Sequence, residues 1–264
     1  MLESRYVTRT PHPSLRGVVH AYVGYLERSD APLRRIQPAV TVVPLILSLG
    51  PPIAVDGVRH RSFVAGLYDR PALTEFRGEQ LGIQVELSPL GARRLLSVPM
   101  RDLAGHSVPV GEVLGRAGDE LVERLAGLPG WEARFALLDA VLVRRLHEAP
   151  PPRPAVVAAW SRLRETHGAI TVEDLAREVG YSRRQLAVRF GEDVGLGPKA
   201  VARILRLERT CALLRSGVGL AEVAYAAGYA DQPHLNREVR ALTGVTPSEV
   251  LSLPNVQDAR LSAA

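Results

Sequence analysis

Residues 228–247 read GYADQPHLNREVRALTGVTP, and residues 180–198 read GYSRRQLAVRFGEDVGLGP. The first stretch repeats the second. Gly180-Tyr181 recurs as Gly228-Tyr229, 48 positions on. One residue is then inserted, so Leu186 answers to Leu235 and Phe190 to Val239. The step Gly195-Leu196-Gly197-Pro198 answers to Gly244-Val245-Thr246-Pro247. Ahead of each glycine lies one apolar pattern: Leu175, Ala176 and Val179 match Val223, Ala224 and Ala227. Each copy predicts helix, glycine turn, helix. A duplicated helix-turn-helix suits laying two recognition helices into double-stranded DNA.

Local chemistry supports each element. Thr171 can cap a helix whose apolar stripe, Val172, Leu175, Ala176 and Val179, has the spacing of one buried face. Gly180 ends it, because a positive φ is cheap only for glycine. Ser182, with Gln185 three residues on, opens the next helix with Leu186 and Phe190 inward. Arg183, Arg184, Gln185, Ala187 and Arg189 are left outward. In the second copy Asp231 can cap, and Pro233 fits the first turn. Leu235, Val239 and Leu242 face inward; Gln232, His234, Asn236, Arg237 and Arg240 face outward. Thr246-Pro247-Ser248-Glu249 is a further capping box.

The run Lys199–Arg215 between the copies has no internal Gly or Pro. As a helix it spans roughly 25 Å. Val201, Ile204, Leu205 and Leu207 give it apolar faces toward both neighbours. Successive major grooves lie about 34 Å apart, so two motifs on such a spacer can sit one DNA turn from each other.

From about Ala155 to Leu253 the chain resembles the DNA-binding domain of AraC/XylS-type transcription regulators. The resemblance rests on residues 175–182, on the Gly195–Pro198 step and above all on residues 228–247. It implies base contacts from Arg184, Ala187 and Val188 in the first recognition helix, and from Gln232, Pro233, His234 and Arg237 in the second. Arg183, Arg189, Asn236 and Lys199 complete the expected DNA-binding set. Arginine pairs bidentately with guanine and glutamine with adenine. The family often has Arg where Val188 stands, so base readout by the first helix is either lost or shifted to Arg184 and Arg189. It usually has Phe where Val239 stands, a core position.

Charge alone does not point to DNA. The chain carries a net +5, and from residue 155 onward fourteen Lys and Arg oppose twelve Asp and Glu. Affinity must come from local clusters. Arg183/Arg184/Arg189 and Lys199/Arg203/Arg206 are the candidates. The helix starts at Ser182, Asp231 and Thr246 are weighed as phosphate sites against plain structural caps, and the caps are favoured.

At 264 residues, two domains are expected. Ala149–Pro154, with four prolines, predicts a stiff linker between an N-terminal domain, 1–148, and a DNA-binding domain, 155–264. The N-terminal part predicts strands over Val18–Leu26, Val40–Leu49, Phe63–Leu67 and Leu81–Leu87, hence a β-rich barrel-like domain or sandwich. Helices are expected over Leu90–Leu96, Glu112–Leu125 and Glu132–His147. The fold class is therefore α+β, a barrel-like unit with trailing helices followed by an all-α domain. Gly66–Pro71, Leu87–Ala92 and Val108–Leu114 are similar to the amino-terminal region of an AraC-like subgroup. In better-known members that unit is a cupin-like barrel that binds an effector, followed by helices that often dimerise.

The sequence carries no paired-Cys zinc spacing, phosphate loop or nucleophile elbow. His12, His20, His60 and His106 lack metal-ligand spacing and are expected at the surface or in turns. No cofactor, metal or catalytic residue is expected. The single Cys211 excludes an intrachain disulfide. Tyr22 and Tyr25 fall on opposite strand faces, so at most one lines a cavity. Trp131 is expected to anchor helices or domains, and Trp160 to lie in the core. The N-terminus shows no apolar signal segment, and residues 39–49 are too short to span a bilayer, so a cytoplasmic protein without membrane association is expected. The leading expectation is a ligand-responsive transcription factor. Its partners are double-stranded DNA, a small-molecule effector and RNA polymerase, and its state is monomer or homodimer. Two alternatives stand beside it: a constitutive regulator whose barrel is only a dimerisation or interaction module, and an enzyme that uses the motif to reach DNA.

Overall fold

The computed structural model describes residues 2–252. The N-terminal strands are β1 (Leu2–Arg9), β2 (Val19–Gln37), β3 (Val43–Ser48), β4 (Ile53–Val55), β5 (Val58–His60), β6 (Phe63–Ala65), β7 (Ala72–Leu87) and β8 (Ser107–Pro109). All pair antiparallel in the order β1-β2-β7-β3-β6-β8, with the β4–β5 hairpin joined to β7. The expected strands are present, but two run much further. β2 continues to Gln37 and β7 begins at Ala72, and they pair along both lengths with two register shifts. The larger lies between Ser29 and Leu33. Pro32 falls inside it and has no N–H to give to a ladder. β1, which the sequence pattern did not single out, pairs with β2 from Leu2↔Ser29 to Arg9↔Tyr22.

Helices follow: α1 (Pro89–Leu96), α2 (Val110–Leu114), α3 (Arg116–Gly127) and α4 (Gly130–Glu148). The helix expected over Glu112–Leu125 is thus two. Gly115 breaks it at φ 63° and ψ −158°, a conformation essentially closed to other residues. Phe135, Leu138, Leu142 and Leu146 form the buried stripe of α4. Asp139 lies on the same buried side. It accepts from the Tyr22 hydroxyl at 2.9 Å, from the His12 backbone N–H at 2.9 Å and from Arg9 at 3.0 Å, tying three N-terminal segments to α4. Burial, then Asp139, raises the Tyr22 pKa. Trp131 packs against Gly24 of β2 and lies 6.1 Å from the Phe135 ring, so its anchor role is within the N-terminal unit.

The C-terminal half is helical: α5 (Pro154–Glu165), α6 (Val172–Glu178), α7 (Arg183–Val194), α8 (Pro198–Arg215), α9 (Leu220–Ala226), α10 (Gln232–Thr243) and α11 (Pro247–Val250). Pro154 belongs to the first turn of α5 rather than to the linker. The spacer helix α8 divides its faces as expected. Val201 and Leu205 join a core with α5, α6 and α7, while Ile204 and Leu207 join a separate core with α9 and α10.

The Pro-rich linker does not keep the two halves apart. The first core runs without interruption from the sheet through Leu95, Met100 and Leu103 to Trp160, Leu186, Phe190 and Val194. An ion cluster reinforces the junction at the end of α7. Asp193, 3% exposed, receives Arg153 at 2.7 Å and Arg93 at 3.5 Å, while Glu192 receives Arg153 at 3.0 Å and Arg101 at 3.3 Å. Among the described residues no helix is long and apolar enough to cross a membrane.

Candidate nucleic-acid interface

Both helix-turn-helix copies form as the repeat predicts. Gly180 and Gly228 close α6 and α9 at φ 73° and 79°. The Ser182 hydroxyl accepts from the Gln185 N–H at 3.1 Å to open α7, and Asp231 accepts from the His234 N–H at 2.6 Å to open α10. Leu186 and Phe190, like Leu235 and Val239, are fully buried. This orientation forces the intervening positions outward. Arg183, Arg184, Gln185, Ala187, Val188 and Arg189 of α7 are exposed, as are Gln232, Pro233, Asn236 and Arg237 of α10. Val239 fills its core position and is fully buried there.

The outward residues are not equally available. Arg183, Arg184 and Arg237 carry no ion pair among the described residues, and neither does exposed Lys199 at the start of α8. Arg189 pairs with Glu192 at 3.2 Å, which draws it toward the ion cluster at the end of α7. His234 is half-buried. It packs edge-on against Tyr229 at 5.4 Å, and its Nε2 lies 3.7 Å from Glu238. Val188, 48% exposed, offers only an apolar contact of the kind a thymine methyl can use.

The cluster Lys199/Arg203/Arg206 does not hold together as a basic patch. Buried Glu238 of α10 accepts from Arg203 at 2.8 Å and from Arg206 at 3.3 Å. These two arginines join α8 to α10, and Lys199 alone stays outward. The helix starts also differ in charge. Asp231 at α10 and Glu249, which completes the Thr246 capping box at α11, place carboxylates where a phosphate would sit. Of these three starts, that of α7 at Ser182 alone has neither an acidic cap nor an acid in its first turn. Tyr225 of α9 is 87% exposed, an aromatic that the small-residue pattern of that helix did not single out.

The N-terminal sheet wraps a cavity of about 160 Å³. Tyr25, Gln80 and Gln84 line it beside the Glu27–Arg35 pair, and most of the remaining wall is apolar. Tyr22 faces the core on the other side of the strand, as the alternation required. Burial would raise the Glu27 pKa, but hydrogen bonds from Arg35, Tyr6 and Ser4 outweigh it and hold the carboxyl below its usual range. Tyr6, buried against Glu27, is pushed up to about 12. His60 departs from the surface position expected of it. It is 7% exposed, packs 5.2 Å from Phe63, and burial lowers its pKa. The strand parity of Leu81–Leu87 already put Gln84 on the face opposite Ile83 and Val85. The cavity itself needed β2 and β3 to be placed around β7.

Residues 175–252 match the family model of a helix-turn-helix domain. Over 164 residues the chain is 29% identical to a putative AraC-like transcription regulator of Streptomyces lividans, covering 57% of this chain and 54% of that protein. Over 113 residues it is 33% identical to the probable thc operon regulatory protein of Rhodococcus erythropolis, covering 40% and 34%. The chain thus spans about a third to about a half of the length of these curated relatives. Among solved structures, ToxT from Vibrio cholerae is similar over 96% of this chain and 98% of its own, at 10% identity and a TM-score of 0.49.

Proposed function

We propose, from the premise that residues 175–252 form an AraC-type helix-turn-helix domain, that this chain is a sequence-specific DNA-binding transcription regulator whose N-terminal unit takes a small-molecule effector. The observation that carries the reading is the paired geometry of the two copies. Each buries one side of a capped helix completely and turns a short row of polar and basic side chains outward, and α8 spaces the two. Arg184 and Arg237 are suited to bidentate contact with guanine, Gln232 to adenine. Arg183 and Lys199 are suited to phosphate, which positions without specifying.

The wrapped cavity favours an effector over a barrel that serves only as an interaction module, since a module needs no internal space. In this reading the protein works in the cytoplasm as a monomer or homodimer, has RNA polymerase as its downstream partner and catalyses no reaction. Fluorescence anisotropy with a labelled random-sequence duplex tests the first step. Binding that weakens steeply between 50 and 200 mM salt is expected, as for any protein that neutralises several phosphates. No binding at either salt concentration would defeat the reading.

A further inference from the structure

The segment between β2 and β3 belongs to two sites at once. Residues 38–42 belong to no strand or helix and bend at Thr41, and successive side chains face two different ways. Pro38, Val40 and Val42 line the N-terminal cavity. Ala39 and Thr41, between them, face the C-terminal half. Ala39 is 1% exposed, inside the core of the second helix-turn-helix. Its N–H donates to the Leu242 carbonyl at 2.9 Å. That carbonyl is one of the last four of α10, which have no partner within their own helix. Thr41 donates to Glu208 of α8 twice, from its N–H at 2.8 Å and its hydroxyl at 2.7 Å. The inner wall of the cavity is therefore also a cap on the second recognition helix and a clip on the spacer helix.

The cavity's polar atoms define what it can hold. Glu27 and Arg35 are paired bidentately at 2.8 and 2.7 Å and cancel each other's charge. No further ionisable group with a charge to spare faces the space, so a charged ligand would be buried without compensation. Two of the polar groups that line it lie close together. Gln80, 2% exposed, gives its amide N–H to the Pro51 and Pro52 carbonyls, while its buried Oε1 receives nothing. Tyr25 pairs with Gly82 on the same sheet face, and the absent Gly82 side chain leaves room for the Tyr25 hydroxyl. Glu27 pairs with Gln80, so Tyr25 and Gln80 are diagonal neighbours across β2 and β7, close enough for one small molecule to span. Burial keeps the Tyr25 phenol protonated and able to donate. One acceptor and one donor side by side suit a hydroxyl or an amide. A cavity of about 150 Å³ is known to hold a benzene-sized body.

We propose that the cavity takes a small uncharged molecule with an apolar body and a single hydroxyl or amide, and that residues 38–42 pass its occupancy to the second recognition helix. The proposal rests on the regulator reading above and deepens it.

The test uses the full chain with phenol, toluene and benzoate as probes, by titration calorimetry, and measures duplex affinity with and without phenol. Phenol is expected to bind about tenfold more tightly than toluene, the size of one hydrogen bond, and more tightly than benzoate. Tyr25→Phe, which removes only the hydroxyl, should erase most of the preference over toluene, and Gln80→Met should do the same. Phenol should change duplex affinity at least about fivefold in the unaltered chain. In Thr41→Val, and independently in Glu208→Gln, phenol should still bind but the change in duplex affinity should shrink toward none. Benzoate binding best, toluene equalling phenol, or no probe binding to a chain that still binds duplex would overturn the ligand class. That last outcome leaves the DNA-binding reading intact. A phenol effect undiminished in both strap variants would overturn the route. A chain that binds no duplex under any condition fails at the regulator reading instead.

Discussion

The first helix-turn-helix sinks Leu186, Phe190 and Val194 into a core continuous with the N-terminal sheet; the second sinks Leu235, Val239 and Leu242 into a smaller core of its own. Ionic contacts follow the same division. The end of α7 is clamped by Arg93, Arg101 and Arg153 through Glu192 and Asp193. The end of α10 meets the N-terminal unit through Ala39, with Ile36 and Pro71 beside Gly244. Two nearly identical patterns thus rest on different foundations. The first copy is fixed to the unit that holds the cavity, and the second meets that unit through residues 38–42, through Ile36 and Pro71 at Gly244, and through the shared helix α8. A duplicated motif need not have a duplicated setting: the first copy shares the core of the sheet, and the second does not.

The largest expected effect separates the two foundations. Leu186→Ala and Leu235→Ala should each destabilise by about 2–5 kcal/mol, the range for a buried leucine. Hydrogen exchange should show Leu186→Ala lowering protection in both halves and Leu235→Ala lowering it mainly over residues 218–250. Equal, chain-wide loss in both variants would mean the second core is not a separate unit.

Base readout should divide the copies next. Arg237→Ala should lose about 1–3 kcal/mol of discrimination at particular base positions while leaving nonspecific binding nearly intact. Val188→Arg should add discrimination in the half-site read by α7. If Arg237→Ala weakens all duplexes uniformly, Arg237 contacts phosphate instead.

Acid should act on the unit that carries the first copy. The folded-state pKa of Glu27 lies below its ordinary value of 4.5. The stability it contributes is therefore fully present above that value and is lost as pH falls below it and through the lower folded-state pKa. Denaturant midpoints measured from pH 6 down to pH 3 should fall below about pH 4.5, and Glu27→Gln should flatten that fall. A variant with an unchanged pH profile would mean the Glu27–Arg35 pair is not linked to folding.

The smallest effect is expected at Lys199, the only lysine in the chain. Lys199→Ala should weaken all duplexes slightly and reduce the salt slope by about one. An altered sequence preference would place the start of α8 at the bases.

Much of this was legible in the sequence because the repeat is local. Caps at Ser182 and Asp231, the glycine turns and the inward leucines all follow from spacing within some twenty residues, and each outward position follows from the inward ones. The division of α8 between two cores was legible for the same reason. What was not legible depends on contacts distant along the chain. Nothing near Arg203 or Arg206 announces Glu238, so the two arginines read as a basic patch. Nothing near Thr41 announces Glu208, and the Pro-rich linker read as a separator although the cores on either side of it are one. Gly115, by contrast, was a visible breaker that the apolar spacing around it outweighed.

The most direct test is selection of bound sequences from a randomised duplex pool by the purified full-length chain. Two short motifs about one helical turn, 10–10.5 base pairs, apart are expected, one for α7 and one for α10. Arg237→Ala should relax only the α10 motif. A single motif, or none, would contradict the claim that both copies read DNA.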